Sequence, residues 1–369
     1  MQPRPQASTP AALHPLRRWR NRAYLRPMEQ LNAKQERALP AVRLWLFAVA
    51  LLIFAMVIVG GATRLTNSGL SITEWKPLLG AIPPLDEADW QLAFDKYKLI
   101  PQARELNSAM TLEEFKFIFW WEWAHRFLGR FIGVAFAVPF LFFAVTGRIA
   151  KSQWPKLVAL FVLGGLQGAL GWYMVASGLE TRVDVSQYRL AAHLTLAAAI
   201  YAAMLWVALG LGRARQEPAS SVQWAALLLP FLVLLQMAAG GFVAGLDAGL
   251  AFNTWPLMDG TLVPNGLFVM TPAWRNFFEN AMTVQFDHRL LAYGITLYAL
   301  LLALVQRTKT AALVAAAVLL QVCLGIWTLL AHVPLHVALT HQGGALAVLA
   351  AAVWNLHATL MRSPAPDRR

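Results

Sequence analysis

The sequence contains a single cysteine and few charged residues. Cys323 alone cannot form an intramolecular disulfide, a multi-cysteine zinc site or a cysteine-ligated iron–sulfur cluster, whereas haem held by histidine stays compatible with it. Charged residues make up 14% of the 369 residues, apolar residues make up 58%, and the mean hydropathy is +0.51. This composition excludes an ordinary soluble domain and indicates a membrane protein.

Eight apolar runs are long enough to cross the hydrocarbon core of a bilayer, which requires about 20 residues in a helix. They predict an all-α polytopic membrane protein with eight transmembrane helices. The run at 118–146 is long enough to tilt or to project beyond the bilayer. The predicted spans are 41–61, 118–146, 155–177, 189–211, 222–245, 281–305, 310–331 and 336–360.

The net charge of +12 comes from Lys and Arg beside the apolar runs rather than along one polar face, so we expect no nucleic-acid partner. These residues predict that both termini lie inside and that the loop 62–117 lies outside. Residues 1–38 are rich in Pro, Arg and Gln and are predicted to be disordered, and 362–369 form a short inside tail. The inside residues include Arg17, Arg18, Arg20, Arg22, Arg26, Lys34, Arg37, Arg43, Arg148, Lys151, Lys156, Arg213, Arg215, Arg307, Lys309, Arg362, Arg368 and Arg369.

An internal repeat divides the chain into two four-helix halves, 39–215 and 216–361. Because four crossings return the chain to its starting side, we expect the halves to be related by a pseudo-twofold axis along the membrane normal. A shift of 180 residues aligns Gly60, Gly61, Gly69, Leu70, Trp75 and Gly80 with Gly240, Gly241, Gly249, Leu250, Trp255 and Gly260. Other offsets align Glu122, His125 and Arg126 with Gln285, His288 and Arg289, then Gln167, Leu170 and Gly171 with Gln321, Leu324 and Gly325, and His193 with His341.

Four of the eight histidines occupy repeat-related places, His125 and His193 in the first half and His288 and His341 in the second. Each lies early in an even-numbered span, so all four are predicted at similar depth toward the outside. Two imidazoles on facing helices of a four-helix unit can bind one iron from both axial sides. A single membrane histidine is more simply explained by an interhelical hydrogen bond, but four at repeat-related places favour one haem in each half.

Charged residues beside these histidines differ between the halves. Glu122 lies three residues before His125 on one helical face, whereas its repeat equivalent is Gln285. A carboxylate at a haem edge can accept a proton or stabilise positive charge, so the first half is predicted to be catalytic and the second to carry a resident haem. Arg126 and Arg289 are interpreted as partners of haem propionates. An ion pair between Arg126 and Glu122 is the structural alternative for both residues.

Several motifs resemble the haem A synthase family, over essentially the whole chain from about residue 40 to 360. They are GGATRLTNSGLSITEWKP at 60–77, EFKFIFWWEWAHRFLGR at 114–130, QFDHR at 285–289 and His341-Gln342. The resemblance implies an oxidoreductase that converts haem O into haem A, by successive hydroxylation of one pyrrole methyl group and dehydration to the aldehyde. The sequence is more similar to the proteobacterial and mitochondrial branch and lacks the cysteine pair that some members carry.

The resemblance also implies roles for the candidate residues. His125 and His193 become axial ligands of the substrate haem iron, and Glu122 becomes the catalytic acidic residue near the reacting methyl group. His288 and His341 become ligands of a haem b iron that passes electrons. A haem O synthase and the cytochrome oxidase assembly machinery are implied as partners in the bacterial inner membrane, with both termini cytoplasmic, or in the mitochondrial inner membrane of a eukaryote.

Two other functions remain compatible with the residues. The first is a dihaem b-type electron-transfer cytochrome, which shares the paired histidines but would need haems at two depths. The second is a repeat-built proton-coupled transporter, in which the histidines and Glu122 would form a proton relay. The electron acceptor, the oxygen source, a homo-oligomeric state and the roles of His332 and His336 are left open.

Overall fold

The computed structural model describes residues 31–76, 79–212 and 220–361, and within them it is all helical. Eight helices are long and apolar enough to cross a membrane, which confirms the predicted all-α fold with eight spans. The predicted tail 362–369 and the basic residues Arg213 and Arg215 lie outside the described residues. The eight helices are α1 (Ala33–Leu65), α2 (Leu112–Val145), α3 (Trp154–Thr181), α4 (Gln187–Gly210), α5 (Ser221–Gly245), α6 (Ala281–Gln306), α7 (Lys309–Leu330) and α8 (Leu335–Leu360).

The first helix begins eight residues before the predicted span, so the prediction of disorder over 1–38 is wrong for residues 33–38. A capping box explains this start. The Asn32 side chain accepts from the Gln35 backbone N–H, and the Gln35 side chain accepts from the Asn32 N–H. The residues that follow are polar but good helix formers, so a search for apolar runs does not find them. Residues 1–30 lie outside the described part of the chain.

Each half is a closed ring of four helices. In the first half α1 and α3 each contact both α2 and α4, and in the second half α5 and α7 each contact both α6 and α8. The halves meet through α4 against α5, α8 against α1, and α4 against α8. The contacts thus follow the same order in both halves, and α1, α4, α5 and α8 form the centre of the molecule.

Small residues let the central helices approach closely, as is common between membrane helices. A Cβ added to Gly241 of α5 would come within 2.8 Å of the Cα atom of Ala191 in α4. A Cβ added to Gly245 would come within 2.6 Å of the Cα atom of Gln187, also in α4. At the other contact between the halves, Gln342 of α8 donates to the Val57 carbonyl oxygen of α1 at 2.8 Å. Gly61 makes room for that amide, since a Cβ there would collide with it.

The long connections lie on one face of the molecule, which we call the long-loop face and which comprises 66–76, 79–111, 182–186, 246–280 and 331–334. Its largest part packs on α2, which has 34 residues and is roughly 50 Å long, more than the hydrocarbon core requires. The first two turns of α2 therefore serve as a support for the loop. A cluster of buried side chains joins them: Leu70, Phe94, Tyr97, Ile100, Ala103, Phe115, Ile118 and Phe119.

Candidate functional site

The four repeat-related histidines lie toward the long-loop face, on helices that begin there. His193, His288 and His341 follow the starts of α4, α6 and α8 by about two turns. His125 follows the start of α2 by about four turns, because α2 extends further into the loop. His125 on α2 and His193 on α4 lie on opposite helices of the first ring, and His288 on α6 and His341 on α8 lie on opposite helices of the second. Each pair predicted from the repeat therefore lies within one four-helix half.

Each imidazole packs against a glycine of the preceding helix. A Cβ added at any of these glycines would come within 2.9 to 3.2 Å of an imidazole atom. A Cβ at this separation would require the ring or the helix to shift, so the glycines of these helices are part of the histidine sites. The contacts are Gly60 with His125, Gly171 with His193, Gly240 with His288, and Gly325 with His341.

Three of the four histidines also contact a glutamine amide from the same preceding helix. The amide nitrogen donates to the histidine's own backbone carbonyl oxygen at 2.7 to 3.0 Å and lies 3.1 Å from Nδ1 of its ring. The sequence predicts Gln167 and Gln321 only as aligned positions of the repeat, and Gln236 was not predicted as a site residue. The signal in the sequence that could have identified these residues is an uncharged amide side chain inside an apolar helix. The pairs are Gln167 with His193, Gln236 with His288, and Gln321 with His341.

Glu122 is 2% exposed and both of its carboxylate oxygens accept hydrogen bonds. Oε2 accepts from Ser71 Oγ at 2.7 Å and from the Ile72 backbone N–H at 2.6 Å, and Oε1 accepts from Arg126. The ion pair with Arg126, one of the two interpretations of these residues, is therefore present. All three partners are donors, so the carboxylate acts only as an acceptor. Ser71 is a site residue that the sequence analysis missed.

Arg126 and Arg289 tie the loops to the helices in the same way. Arg126 donates to the carbonyl oxygens of Ile72 and Glu74 at 2.7 and 3.0 Å. Arg289 donates to those of Phe252 and Thr254, the positions 180 residues later, at 3.0 and 2.9 Å. Backbone carbonyl groups of the loops thus supply some of the hydrogen-bond acceptors that a guanidinium in a membrane requires.

The equivalent of Glu122 makes different contacts. Gln285 accepts from Arg289 at 2.7 Å, and its own amide donates to the Ala248 carbonyl oxygen at 2.7 Å. Ser71 has no counterpart, because residue 251 is alanine. The buried position beside the histidine therefore carries a negative charge in the first half and a neutral amide in the second.

The candidate ligands in each half are suited to a metal ion that is already coordinated by another molecule. Over the described ranges, no group of three or more His, Cys, Asp and Glu side chains could hold a metal ion. Two imidazoles per half, each held against a glycine, are nevertheless sufficient for an iron whose four equatorial ligands are supplied by a porphyrin. The residues present therefore fit haem better than a zinc or copper ion.

The fold and the site define a multi-pass membrane protein with two pairs of histidines between its helices. Residues 43–353 match the model of the COX15-CtaA family, described as cytochrome oxidase assembly protein. The chain belongs to this family, and the resemblance seen in its motifs is confirmed.

Several curated relatives are similar over most of their length, and all three of the following are named heme A synthase. The protein of Azorhizobium caulinodans is 58% identical over 328 residues, which cover 86% of this chain and 93% of that protein. The protein of Mesorhizobium japonicum is 56% identical over 325 residues, or 85% and 89%. The protein of Parvibaculum lavamentivorans is 53% identical over 324 residues, or 86% and 94%.

Proposed function

We propose that this protein is a haem A synthase, which oxidises one pyrrole methyl group of haem O to the formyl group of haem A. The observation that carries the proposal is the buried carboxylate of Glu122 beside the first histidine pair, in a chain whose relatives are named heme A synthase. The matching place beside the second pair holds the neutral Gln285. The proposed reaction therefore takes place in the first half.

In this proposal His125 and His193 bind the iron of the substrate from its two axial sides. Gly60 and Gly171 set how closely the rings approach α1 and α3 and so where the iron lies. Glu122 is one helical turn from His125 on the same face, which supports a position for its carboxylate near the edge of the substrate. The imidazoles orient the substrate, so that one particular methyl group faces the carboxylate.

The three hydrogen bonds to Glu122 favour one of its two predicted roles. Because Ser71, Ile72 and Arg126 all donate to it, the carboxylate is held in one position as the anionic partner of Arg126. A fixed negative charge stabilises positive charge that develops on the methyl carbon as hydrogen is removed. Electrostatic stabilisation therefore accounts for these contacts more directly than proton uptake does.

The second half is proposed to hold a resident haem b between His288 and His341. When bound, this group would supply one-electron transfer to and from the first half. The protein contributes the two imidazoles and the glycines behind them, Gly240 and Gly325. Arg289 is suited to bind an anionic propionate, because its buried Nε atom has no hydrogen-bond partner among the described residues.

The decisive experiment compares the pigments extracted from purified protein that is produced with and without a haem O synthase. We expect haem A only when haem O is supplied. The Glu122→Gln variant should lower haem A formation on the order of 100-fold while the haem content stays nearly unchanged. Gln285→Glu is the matched control and should leave turnover largely intact. Haem B alone in both preparations, with oxidant available, would favour an electron-transfer cytochrome instead.

We also propose that the protein lies in a bacterial inner membrane with both termini in the cytoplasm. The face opposite the long loops carries basic residues, among them Arg43, Arg148, Lys151 and Lys309. Positive charge next to membrane helices favours the cytoplasmic side. A haem O synthase would deliver the substrate, and the cytochrome oxidase assembly machinery would receive the product. A reporter enzyme that is active only in the periplasm should stay inactive when fused to the C-terminus, and its activity there would reverse this topology.

A further inference from the structure

The odd-numbered helices present a repeated pair of residues to the histidines. On α3, α5 and α7 a glutamine precedes by four residues the glycine that contacts the ring, so both lie on one helical face. We call each such glutamine and glycine a clamp pair. The clamp pairs are Gln167 and Gly171 for His193, Gln236 and Gly240 for His288, and Gln321 and Gly325 for His341.

Two of the clamp glutamines lie over the face of the imidazole rather than in its plane. Gln167 Nε2 is 3.1 Å from Nδ1 and 3.3 Å from Nε2 of His193, and Gln236 Nε2 is 3.1 and 3.2 Å from the same atoms of His288. An atom that close to both ring nitrogens cannot be in the ring plane, where it would collide with Cε1. The amide therefore restricts rotation of the ring and leaves the in-plane lone pair free for a metal.

The glutamines are retained at an energetic cost. The amide oxygens of Gln167, Gln236 and Gln321 are all buried without a hydrogen-bond partner in the described residues. An apolar side chain would avoid the cost of an unpaired acceptor inside a membrane protein. Their recurrence at three related places indicates that the N–H contact to histidine is what requires an amide.

The clamp pair of α1 is different, because Met56 takes the place of glutamine before Gly60. The Met56 methyl carbon lies against Gly129, one turn beyond His125 on α2, at 3.1 Å from where a Cβ of that glycine would be. A thioether is flexible and has no proton to donate to the His125 carbonyl oxygen. None of the hydrogen bonds described above involves the His125 ring, so this ring lacks the amide contact that restricts the other three.

We infer that His125 is the exchangeable ligand of the substrate iron, and that the three clamp glutamines are positioning residues that keep the other histidines bound. This inference rests on the proposed function. An iron with a porphyrin and two axial imidazoles has no free coordination position. When the bond from iron to His125 breaks, the electron pair stays on the imidazole nitrogen and the substrate stays attached through His193. A small molecule can then reach the iron in the first half, whereas the second half stays closed.

Carbon monoxide binding to the reduced, haem-loaded protein tests the inference without relying on turnover. In the wild-type protein we expect carbon monoxide to bind a haem fraction equal to the extracted haem O and haem A, and to leave haem B unchanged. Met56→Gln should weaken this binding roughly 5- to 10-fold, the effect of one added hydrogen bond. The matched control Met56→Leu, which adds no donor, should bind like the wild type.

The reciprocal variant tests the second half independently. Gln236→Met should make the haem B fraction bind carbon monoxide, and its low-spin ferric EPR signal, which depends on how the axial rings are rotated, should change. The inference is overturned if the wild-type protein binds carbon monoxide only at haem B. It is also overturned if haem B in Gln236→Met does not bind carbon monoxide and Met56→Gln binds it as tightly as Met56→Leu does. Wild-type protein that yields haem B alone, or no haem, would instead count against the proposed function, and this pigment analysis is done before any variant is made.

Discussion

The two halves share a framework of contacts and differ in the charge that this framework surrounds. In both, an arginine next to the first histidine holds two loop carbonyl groups that are related by the repeat. Beside it the first half has the anionic Glu122, held by three donors, and the second half has Gln285, which uses its amide as a donor instead. The scaffold that orients a histidine is therefore separable from the group that would act on a bound substrate.

The same comparison predicts that removing a histidine affects one half only, and this should be the largest effect. His193→Ala is expected to eliminate the haem O and haem A pigment, because His193 is the ligand proposed to keep the substrate attached, while haem B stays. His341→Ala should eliminate haem B and leave the other pigment. Extraction and chromatography of the pigments measure both. His336→Ala in the first turn of α8 is the control and should retain both pigments. Loss of both pigments in either variant would contradict independent sites.

A difference in stability is expected when each arginine is removed. Arg126→Gln leaves the buried Glu122 carboxylate without its countercharge and should cost about 3–5 kcal/mol of unfolding free energy. Arg289→Gln faces the neutral Gln285 and should cost only about 1–3 kcal/mol. Denaturation in detergent measures both. The double variant Arg126→Gln with Glu122→Gln removes both charges and should regain much of the loss. Equal costs for the two single variants would show that charge is not what distinguishes the halves.

The glycines behind the rings should respond alike in the two halves. Alanine at Gly171 or Gly325 would place a methyl group within 2.9 Å of an imidazole carbon, so the ring or the helix must shift. We expect the free energy of unfolding to fall by about 1–3 kcal/mol and the haem in that half to be retained less well. Gly168→Ala, on the same helix as Gly171 but with nothing within 4 Å, is the matched control. If Gly168→Ala is as harmful as Gly171→Ala, the effect comes from helix packing and not from the ring contact.

The smallest effect is expected at Ser71. Ser71→Ala makes this position equal to Ala251 and removes one of the three donors to Glu122, which costs about 1 kcal/mol. If the carboxylate must be held in place, the rate of haem A formation should fall roughly fivefold at unchanged haem content. The reciprocal variant Ala251→Ser should have no effect on this rate. An unchanged rate for Ser71→Ala would mean that Arg126 and the Ile72 N–H suffice to hold Glu122.

The sequence predicted the helices well where they are apolar and poorly where they are polar. All eight spans are present, but α1 and α2 begin eight and six residues earlier than their apolar runs. Each of these helices begins at a capping box, formed by Asn32 with Gln35 and by Thr111 with Glu114. Only backbone and polar side-chain groups form hydrogen bonds in a capping box. Hydropathy measures affinity for lipid, whereas these turns are stabilised by caps and by contact with the loops.

The site was predictable as far as it repeats. The four histidines recur at related places, and so their pairing follows from the helix count alone. The hydrogen-bond partners of Arg126 could not be predicted from the sequence, because they include backbone carbonyl groups whose positions depend on how the loop folds. The clamp glutamines were visible as polar residues in apolar helices, but their contact with a ring appears only when adjacent helices are placed side by side. Met56 looked like any apolar residue of α1 until the other three clamp pairs were known.

The hydrogen bond from Gln342 to the Val57 carbonyl has a consequence for the order in which the protein is built. Its two residues are 285 positions apart, so α1 is synthesised long before α8, which supplies the donor of this contact. Until α8 inserts, the Val57 carbonyl oxygen lacks this donor and Gly61 lacks its contact with the Gln342 amide. This contact between the two halves therefore forms late in synthesis.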